Sequence, residues 1–572
     1  MKILTLHCDY IRFKANKKAF KDAPEISDEE KKQHEVKECL VVLTSIEQGD
    51  SSDTIKQLVE AVEKTAREVK TENIVLYPYA HLSSNLAKPL VALELLQESE
   101  VQLKKKFKHT IRAPFGYYKE FEFKCKGHPL SELSKEFRSE TQKSVPTPGK
   151  VTEEKYDSSK LLREISRTKL DTSKLKDNDH RILAQKLDLF SFNEVAPGMI
   201  FWHDSGLHIY NKLTEMKRSL LKKNNYLEIS TPQIFDSKLF KVSGHWEHYK
   251  ENMFLTNYES RQFGVKPMNC PGAMLVFKTN AHSYKEMPMR LAEFGIVHRQ
   301  ELSGVINGAF RVIRFTQDDS HVFCMSNQIG QEITTMLSMV NHIYKELFGF
   351  EYHLELSTRP EKFMGDIKDW DFAEKTLEEV LNKSKIKYKT NKGDGAFYGP
   401  KIDIHIKDSL GRSWQCATIQ LDMQMPKRFE VSYIGEDSKE HTPIVIHCAV
   451  MGSIERFIGV LLEHTNGHLP LWLSPRQVRI ISFTDRNAKT CEKFVSDLKK
   501  EFPNLRIDID IRSDTVQSKI RDAEMLKINH IIVIGDKEEE NKTLAVRPRG
   551  GKPQFGIKKE SFIEDLKKEL NY

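Results

Sequence analysis

The sequence predicts a multidomain α/β protein, and three observations carry that prediction. Residues 1–137 alternate short β-branched runs with helical stretches. Within residues 180–473 an apolar run, LAEFGIV, passes through a Gly/Asn loop and returns as RVIRFTQ, the pattern of an antiparallel hairpin. From Ser474 onward, strand and helix patterns alternate again, as in a small α/β domain. A chain of 572 residues is long enough for three or four domains.

Residues 1–137 open on the strand pattern MKILTLHCDYIRFK, with an early charge that does not suit a signal peptide. The runs CLVVLTSI and NIVLYPYAHL follow as further strands. Residues 138–179 are rich in Ser, Thr, Lys and Pro and read as a linker with room for one helix. Residues 180–473 form the largest domain and residues 474–572 the last. No internal repeat is present. The net charge of +7 suits a polyanionic partner. No apolar run approaches a membrane span. The eight Cys are scattered without C-x-x-C pairs, which disfavours disulfide frameworks and zinc knuckles and points to a reducing cytoplasm.

Chemistry is densest at residues 294–319, FGIVHRQELSGVINGAFRVIRFTQDD. Strand alternation puts Arg299 and Glu301 on one face. A guanidinium fork there can hold a phosphate while a carboxylate accepts from an adenine amino group. A plain ion pair on a surface hairpin would leave the same pattern. Residues 444–459, IVIHCAVMGSIERFIG, read as a strand, a Gly-Ser turn and a helix carrying Glu455 and Arg456. Upstream, NNYLEISTPQI is an apolar stretch broken at Pro232. Together these segments resemble the three signature motifs of class II aminoacyl-tRNA synthetases. The forms KPMNCPG (266–272), FTQDDSH (315–321), AFYGPKIDI (396–404) and WQCATIQLD (414–422) are similar to the threonyl-tRNA synthetase family in particular. The resemblance runs from about residue 180 to the end. It implies a class II antiparallel β-sheet catalytic core with helices, followed by a C-terminal α/β anticodon-binding domain.

The resemblance also implies an activity and its residues. The family activates threonine with ATP and Mg²⁺ and transfers it to tRNA(Thr), as a cytoplasmic homodimer with no membrane association. Arg299 would hold the α-phosphate, Glu301 the adenine amino group, Arg311 the γ-phosphate end, and Arg456 the adenine face, with Phe315 as the opposite wall. Met268, Gln317, Asp319, Tyr398 and Gln415 would line the threonine pocket. This chain has Val-Ile-Arg-Phe at 312–315 where relatives carry Val-Arg-x-Phe, so no role for Arg314 follows. Spacing alone leaves Cys270, His321 and His447 as core or turn residues. The resemblance makes them the ligands of one zinc per chain. Cys270 precedes Pro271-Gly272, so it is expected at a helix N-terminus, where thiol pKa falls. Three protein ligands leave zinc open to substrate, and threonine, unlike isosteric valine, offers it a hydroxyl.

Serine offers the same groups and lacks one methyl, a difference that binding resolves by only about 10–200-fold. A second, hydrolytic site is therefore expected. Residues 77–89, YPYAHLSSNLAKP, and 114–132, PFGYYKEFEFKCKGHPLSE, resemble the editing domain of archaeal threonyl-tRNA synthetases, a relative of D-aminoacyl-tRNA deacylases. His81, Tyr117, Tyr118, Lys119 and Glu132 fall on that family's active-site motifs. By composition alone the tyrosines would be core aromatics and Lys119 a solvated charge. In the tail, residues 531–549 read as a strand, a Glu- and Lys-rich turn and a second strand. Glu538 and Arg547 are candidates for reading anticodon bases, and Arg549 for a phosphate contact. Two rivals are a prolyl or seryl relative, whose sites are not built on such a Cys/His/His set, and an RNA-binding regulator, which has no use for an ATP site.

Overall fold

The computed structural model describes residues 1–20, 23–83, 85–137, 157–165, 175–408 and 411–570. The expected linker 138–179 lies largely outside these residues. Its described part includes a helix at Ser158–Ile165. The chain forms two compact units, Met1–Glu154 and Lys155–Tyr572.

In the first unit, β1 (Lys2–Lys18), β2 (His34–Ser45), α1 (Ser52–Val69), β3 (Asn73–Pro78), α2 (Pro89–Lys104), β4 (His109–Arg112), β5 (Tyr117–Cys125) and β6 (Glu132–Glu136) follow in order. The sheet order is β4-β3-β2-β1-β5, and β6 also pairs with β1. β2, β3 and β4 run parallel, and α1 and α2 are their crossovers. In α1, Ile55, Leu58, Val62 and Ala66 recur at helical spacing and are all fully buried. They pack with Leu40, Val42 and Leu96 into one core. A second cluster holds Cys8, Ile11, Phe13, Val41 and Tyr77.

The second unit is built on an eight-stranded sheet. Its centre places Ser413–Asp422, Ile444–Ser453, Arg314–Cys324 and Met289–His298 side by side, all antiparallel. Behind it lies the helix Ile454–Thr465, capped by Ser453, whose Oγ accepts from the Arg456 amide at 3.0 Å. Phe457 of this helix is fully buried, and its truncation to alanine would cost about 3–5 kcal/mol. The segment before Pro232 is anchored by a buried polar triad. Glu293 accepts from the Thr231 amide at 2.7 Å, and Lys266 Nζ donates to Thr231 Oγ1 at 2.8 Å and to Glu293 at 2.9 Å. The C-terminal five-stranded sheet, Ile507–Asp510, Val478–Ser482, His530–Ile534, Thr543–Pro548 and Gln554–Lys558 in spatial order, carries the last helices. Among the described residues no helix is long and apolar enough to cross a membrane.

Two local expectations need correction. The hairpin strand ends at His298 and the return begins at Arg314, so Arg299 and Glu301 lie in the connection rather than on alternate strand positions. The Arg299 amide still donates to the Ile313 carbonyl at 2.9 Å, but the Gln300 amide turns away to Asn252 O at 2.8 Å. In the tail, the expected turn is a short helix, Asp536–Asn541. Acidic residues at its first turn suit the helix dipole. Glu538 therefore sits inside that helix, and Arg549 lies past the end of the strand.

Candidate active site and metal centre

Three guanidinium groups converge at the hairpin connection. Arg299 Nε donates to Pro267 O at 3.1 Å, and its guanidinium lies over the Phe315 ring at 5.1 Å and the Tyr249 ring at 5.7 Å. Arg311 Nη2 meets Glu301 Oε2 at 3.0 Å. Arg456, in the first turn of its helix, donates from Nε to Phe310 O at 2.8 Å and from Nη1 to Gln415 O at 2.9 Å. Burial lowers the affinity of Arg456 for its proton, and the charges of Arg299 and Arg311 lower it further. Such a cluster of like charges beside one carboxylate suits a polyphosphate, whose fork-matching oxygens relieve the repulsion. Arg314, for which the sequence assigned nothing, lies 3.7 Å from Glu455. Glu455 accepts from the Thr316 amide, and burial pushes its carboxyl up to about 7.

Next to this cluster, Cys270, His321 and His447 bring one ligand atom each to within 4.8 Å of one another. His321 and His447 face each other on paired strands, and Cys270 opens the helix Cys270–Lys278. His447 Nε2 is 2.9 Å from Asp422 Oδ2, so the Nδ1 lone pair is left for a ligand. His321 Nε2 is buried and has no hydrogen-bond partner. Burial pushes the His321 imidazole down to about 4, which keeps it in the neutral, ligating form. The expected fall in the Cys270 thiol pKa is not what burial produces. Desolvation, with Asp319 and Asp422 nearby, raises it well above the ordinary value. A divalent cation would reverse that shift. An orphaned buried nitrogen within a Cys/His/His donor set fits zinc.

Around this centre, Tyr398 packs its ring 5.2 Å from His447 and donates its hydroxyl to Gln420 Oε1. Asp319 Oδ2 accepts from Asn269 Nδ2 at 3.1 Å. Met268 Sδ lies 3.0 Å from His245 Nε2, whose ring is buried. Gln317 is half-buried on the same strand face as Asp319 and His321. Gln415 has no contact with Tyr398 or His447, and it shares the Asp403 carboxylate with Thr418. It is exposed, and its side chain donates to Asp403. Gln420 lies opposite His447 in register and accepts from the Tyr398 hydroxyl. The sequence carried a signal for it. Thr418, Gln420 and Asp422 alternate with the buried Ala417, Ile419 and Leu421, and polar residues at every second position of an apolar strand mark a working face.

In the first unit, a cavity of about 520 Å³ is lined by His81, Tyr117, Tyr118 and Lys119, together with Ser45, Tyr77 and Phe121. Ser45 Oγ is buried without a partner. Lys119 Nζ donates to Pro114 O at 2.9 Å and lies over the Tyr77 ring at 5.0 Å. Burial pushes its ammonium down to about 8. Glu132 is not in this lining. It pairs with Leu6 on β1, whereas Lys119 pairs with Ala15. Nine residue steps along the strand separate those partners, roughly 30 Å.

In the tail, Glu538 Oε2 accepts from the Gly535 amide at 3.1 Å and so caps its own helix. Arg547 meets Glu524 at 3.0 Å and stays partly exposed. The Arg549 guanidinium donates to the carbonyls of Lys527 at 3.1 Å and Leu469 at 2.7 Å, which engage two of its five N–H groups.

The antiparallel sheet, with its arginine-lined hairpin and the helix behind it, defines a class II aminoacyl-tRNA synthetase core. Three family models match the chain. They are described as an Archaea-specific editing domain of threonyl-tRNA synthetase at residues 1–137, a tRNA synthetase class II core domain (G, H, P, S and T) at 252–465, and an anticodon binding domain at 477–569. A threonine–tRNA ligase of Carboxydothermus hydrogenoformans is 48% identical over 399 residues, 69% of this chain and 62% of that protein. The match thus spans less than two thirds of the length of such curated relatives. A crystal structure titled as the RNA binding domain of threonyl-tRNA synthetase from Cryptosporidium parvum is 41% identical, covers 68% of this chain and 98% of its own, and superposes with a TM-score of 0.66. A prolyl-tRNA synthetase from the same organism, 16% identical with a TM-score of 0.53 over 68% of this chain and 75% of its own, shares the fold. The chain belongs to the threonyl-tRNA synthetase family, in the form that carries the archaeal-type editing domain.

Proposed function

We propose that this chain is a threonine–tRNA ligase that corrects its own errors. Residues 180–473 would form threonyl-adenylate and transfer it, residues 474–572 would read the anticodon, and residues 1–137, joined by the linker 138–179, would hydrolyse seryl-tRNA(Thr). The observation that carries this reading is the Cys270/His321/His447 trio beside the arginine cluster. Pro267, Met268 and Cys270 lie within four residues of one another. One holds Arg299, one lies against His245 and one is a metal-type donor. On this reading a shared segment supports both the anion-binding half and the metal-binding half of the site.

Threonine's carboxylate attacks the α-phosphate of ATP and pyrophosphate leaves. The 3′-hydroxyl of tRNA then attacks the adenylate carbonyl and AMP leaves. Both steps depend on positioning and charge neutralisation more than on covalent help from protein. Arg299 would hold the α-phosphate, Arg311 the γ-phosphate end, and Arg456 the adenine face and a terminal phosphate, with Mg²⁺ accompanying the nucleotide. Glu301 would accept from the adenine amino group and Phe315 would form the opposite wall. Bound zinc would supply a Lewis-acidic anchor for the amine and hydroxyl of threonine. Asp319, Gln317, Tyr398 and Met268 would complete that pocket, with Gln420 joining them. In the first unit the 520 Å³ cavity, with His81, Tyr117, Tyr118 and Lys119, would position water and the ribose hydroxyl on an already labile ester. Arg547 is the tail residue we assign to an anticodon base. A homodimer in the cytoplasm belongs to the same reading.

The test is charging. Purified protein with ATP, Mg²⁺ and tRNA(Thr) should attach labelled threonine to the tRNA 3′ end, and should deacylate seryl-tRNA(Thr) faster than threonyl-tRNA(Thr). Charging of no tRNA by zinc-replete protein would favour an RNA-binding role without catalysis.

A further inference from the structure

We propose that His180 is the positioning residue of the ATP-facing connection, acting through the amide of Ala309. The proposal rests on the reading of Arg299, Arg311 and Arg456 as the phosphate site. His180 opens the helix His180–Leu187 and is fully buried. It lies 129 residues before the amide it holds. The Ala309 amide donates to His180 Nε2 at 2.9 Å, so that nitrogen must carry the lone pair. The proton then sits on Nδ1, which is 2.7 Å from Glu463 Oε1. The same Glu463 oxygen accepts from the His180 amide at 3.1 Å, and the other oxygen accepts from Arg412. One tautomer is thus fixed by a chain of contacts running from Arg412 through Glu463 and His180 to Ala309.

Packing holds the same point. The Phe310 ring lies 4.1 Å from His180 on one side and 4.1 Å from Trp414 on the other, and the Arg412 guanidinium lies 5.6 Å from the Phe310 ring. Gly308 adopts φ +50°, and a Cβ there would stand 2.2 Å from His180 Nε2. The imidazole therefore occupies space that any larger residue at 308 would take. The consequence is one residue away. Phe310 offers its carbonyl to Arg456 Nε at 2.8 Å, and Arg311 pairs with Glu301. The Phe310 carbonyl lies two peptide planes beyond the Ala309 amide, so fixing that amide constrains the turn that presents two of the three guanidinium groups of the phosphate site.

Asp179, His180 and Glu463 also fall within 4.8 Å of one another. Here, unlike at His321, both ring nitrogens have protein partners, so the cluster is a hydrogen-bond relay and not a second metal centre.

Two substitutions divide the relay. In His180→Asn the amide reaches the position of Nδ1 and can still donate to Glu463, but offers nothing to Ala309. In His180→Gln the side-chain oxygen reaches the position of Nε2 and restores the acceptor. Thermal midpoints, Kd for ATP with Mg²⁺ by calorimetry, and KM for ATP and threonine in pyrophosphate exchange are measured for both. We expect similar losses of thermal midpoint. His180→Asn should weaken ATP binding tenfold or more with threonine KM unchanged, and His180→Gln should return to within about threefold of the wild type. Gly308→Ala, which displaces the imidazole from the other side, should reproduce the ATP-specific loss and covers the case in which His180→Asn does not fold. Equal ATP affinities for Asn and Gln, or parallel changes in both KM values, would overturn the proposal. A wild-type protein that binds ATP but exchanges no pyrophosphate would sink the ligase reading alone and leave the ATP affinities to decide His180. A wild-type protein that binds no ATP would overturn both.

Discussion

Removing Arg299 separates its catalytic from its structural work. In the resting protein this side chain makes one hydrogen bond, to Pro267 O, and two ring contacts, to Phe315 and Tyr249. One net hydrogen bond is worth about 1 kcal/mol, and each exposed-to-intermediate ring contact about 0.5–1 kcal/mol. Arg299→Ala should therefore cost roughly 2 kcal/mol of stability, a fall of several degrees in thermal midpoint. In the transition state the same guanidinium meets charge developing on the α-phosphate. Loss of one preorganised donor of this kind costs about 3–4 kcal/mol, a two- to three-decade fall in rate. Arg299→Lys keeps the charge but not the planar fork, and should recover only part of it. The assay is threonine-dependent exchange of labelled pyrophosphate into ATP, at a temperature where the variant is fully folded. A variant that keeps near-normal exchange while losing stability would refute the assignment and return Arg299 to a structural role.

Three further outcomes follow from the geometry. Elemental analysis should find one zinc per chain, and Cys270→Ser should lose most of it; metal retained in full would place the site elsewhere. Competitive labelling of amines should show Lys119 titrating near pH 8, where an exposed lysine titrates near pH ~10.4; an ordinary titration would mean that the cavity is open to water at that point. Glu455 holds its proton up to about pH 7 in the folded chain, whereas an unfolded glutamate loses it near ~4.3. The unfolded state therefore binds fewer protons across that window, and stability should fall as pH rises from the lower value to the higher, by up to about 4 kcal/mol. Glu455→Gln should flatten this slope in thermal midpoints measured from pH 4 to 8, and an unchanged slope would assign it to other groups.

The long motifs were legible because each combines strand periodicity with residue types of narrow use. The paired strands around His321 and His447, the Gly-Ser turn and the helix of Arg456 lie where their patterns put them. What alternation could not supply was the end of a strand. His298 closes its strand one residue before Arg299, because the chain turns to meet Asn252. The helix at Asp536–Asn541 was hidden for a related reason. A Glu-rich run reads as solvated turn, and only the Glu538 cap on Gly535 shows that it closes on itself. The alternation of Thr418, Gln420 and Asp422 is legible in the sequence, and Gln420 joins the site on that face. Nothing in the order of residues shows that Glu132 and Lys119 pair with distant points on β1, since that depends on register. The Cys270 thiol shows the limit of a local rule: a helix N-terminus favours the thiolate, and full burial outweighs it.

The most direct measurement is pyrophosphate exchange by zinc-replete protein across all twenty amino acids. Threonine should give the strong signal. Serine, which keeps the hydroxyl and lacks one methyl, should follow at about 10–200-fold lower kcat/KM. Valine, which would leave the metal-facing polar groups unpaired, should be lower than threonine by about ten-thousandfold. Chelation of zinc should abolish the threonine signal and its return should restore it. Exchange that prefers proline, that treats valine like threonine, or that survives full removal of zinc would contradict the reading of Cys270, His321 and His447 as the centre that recognises threonine.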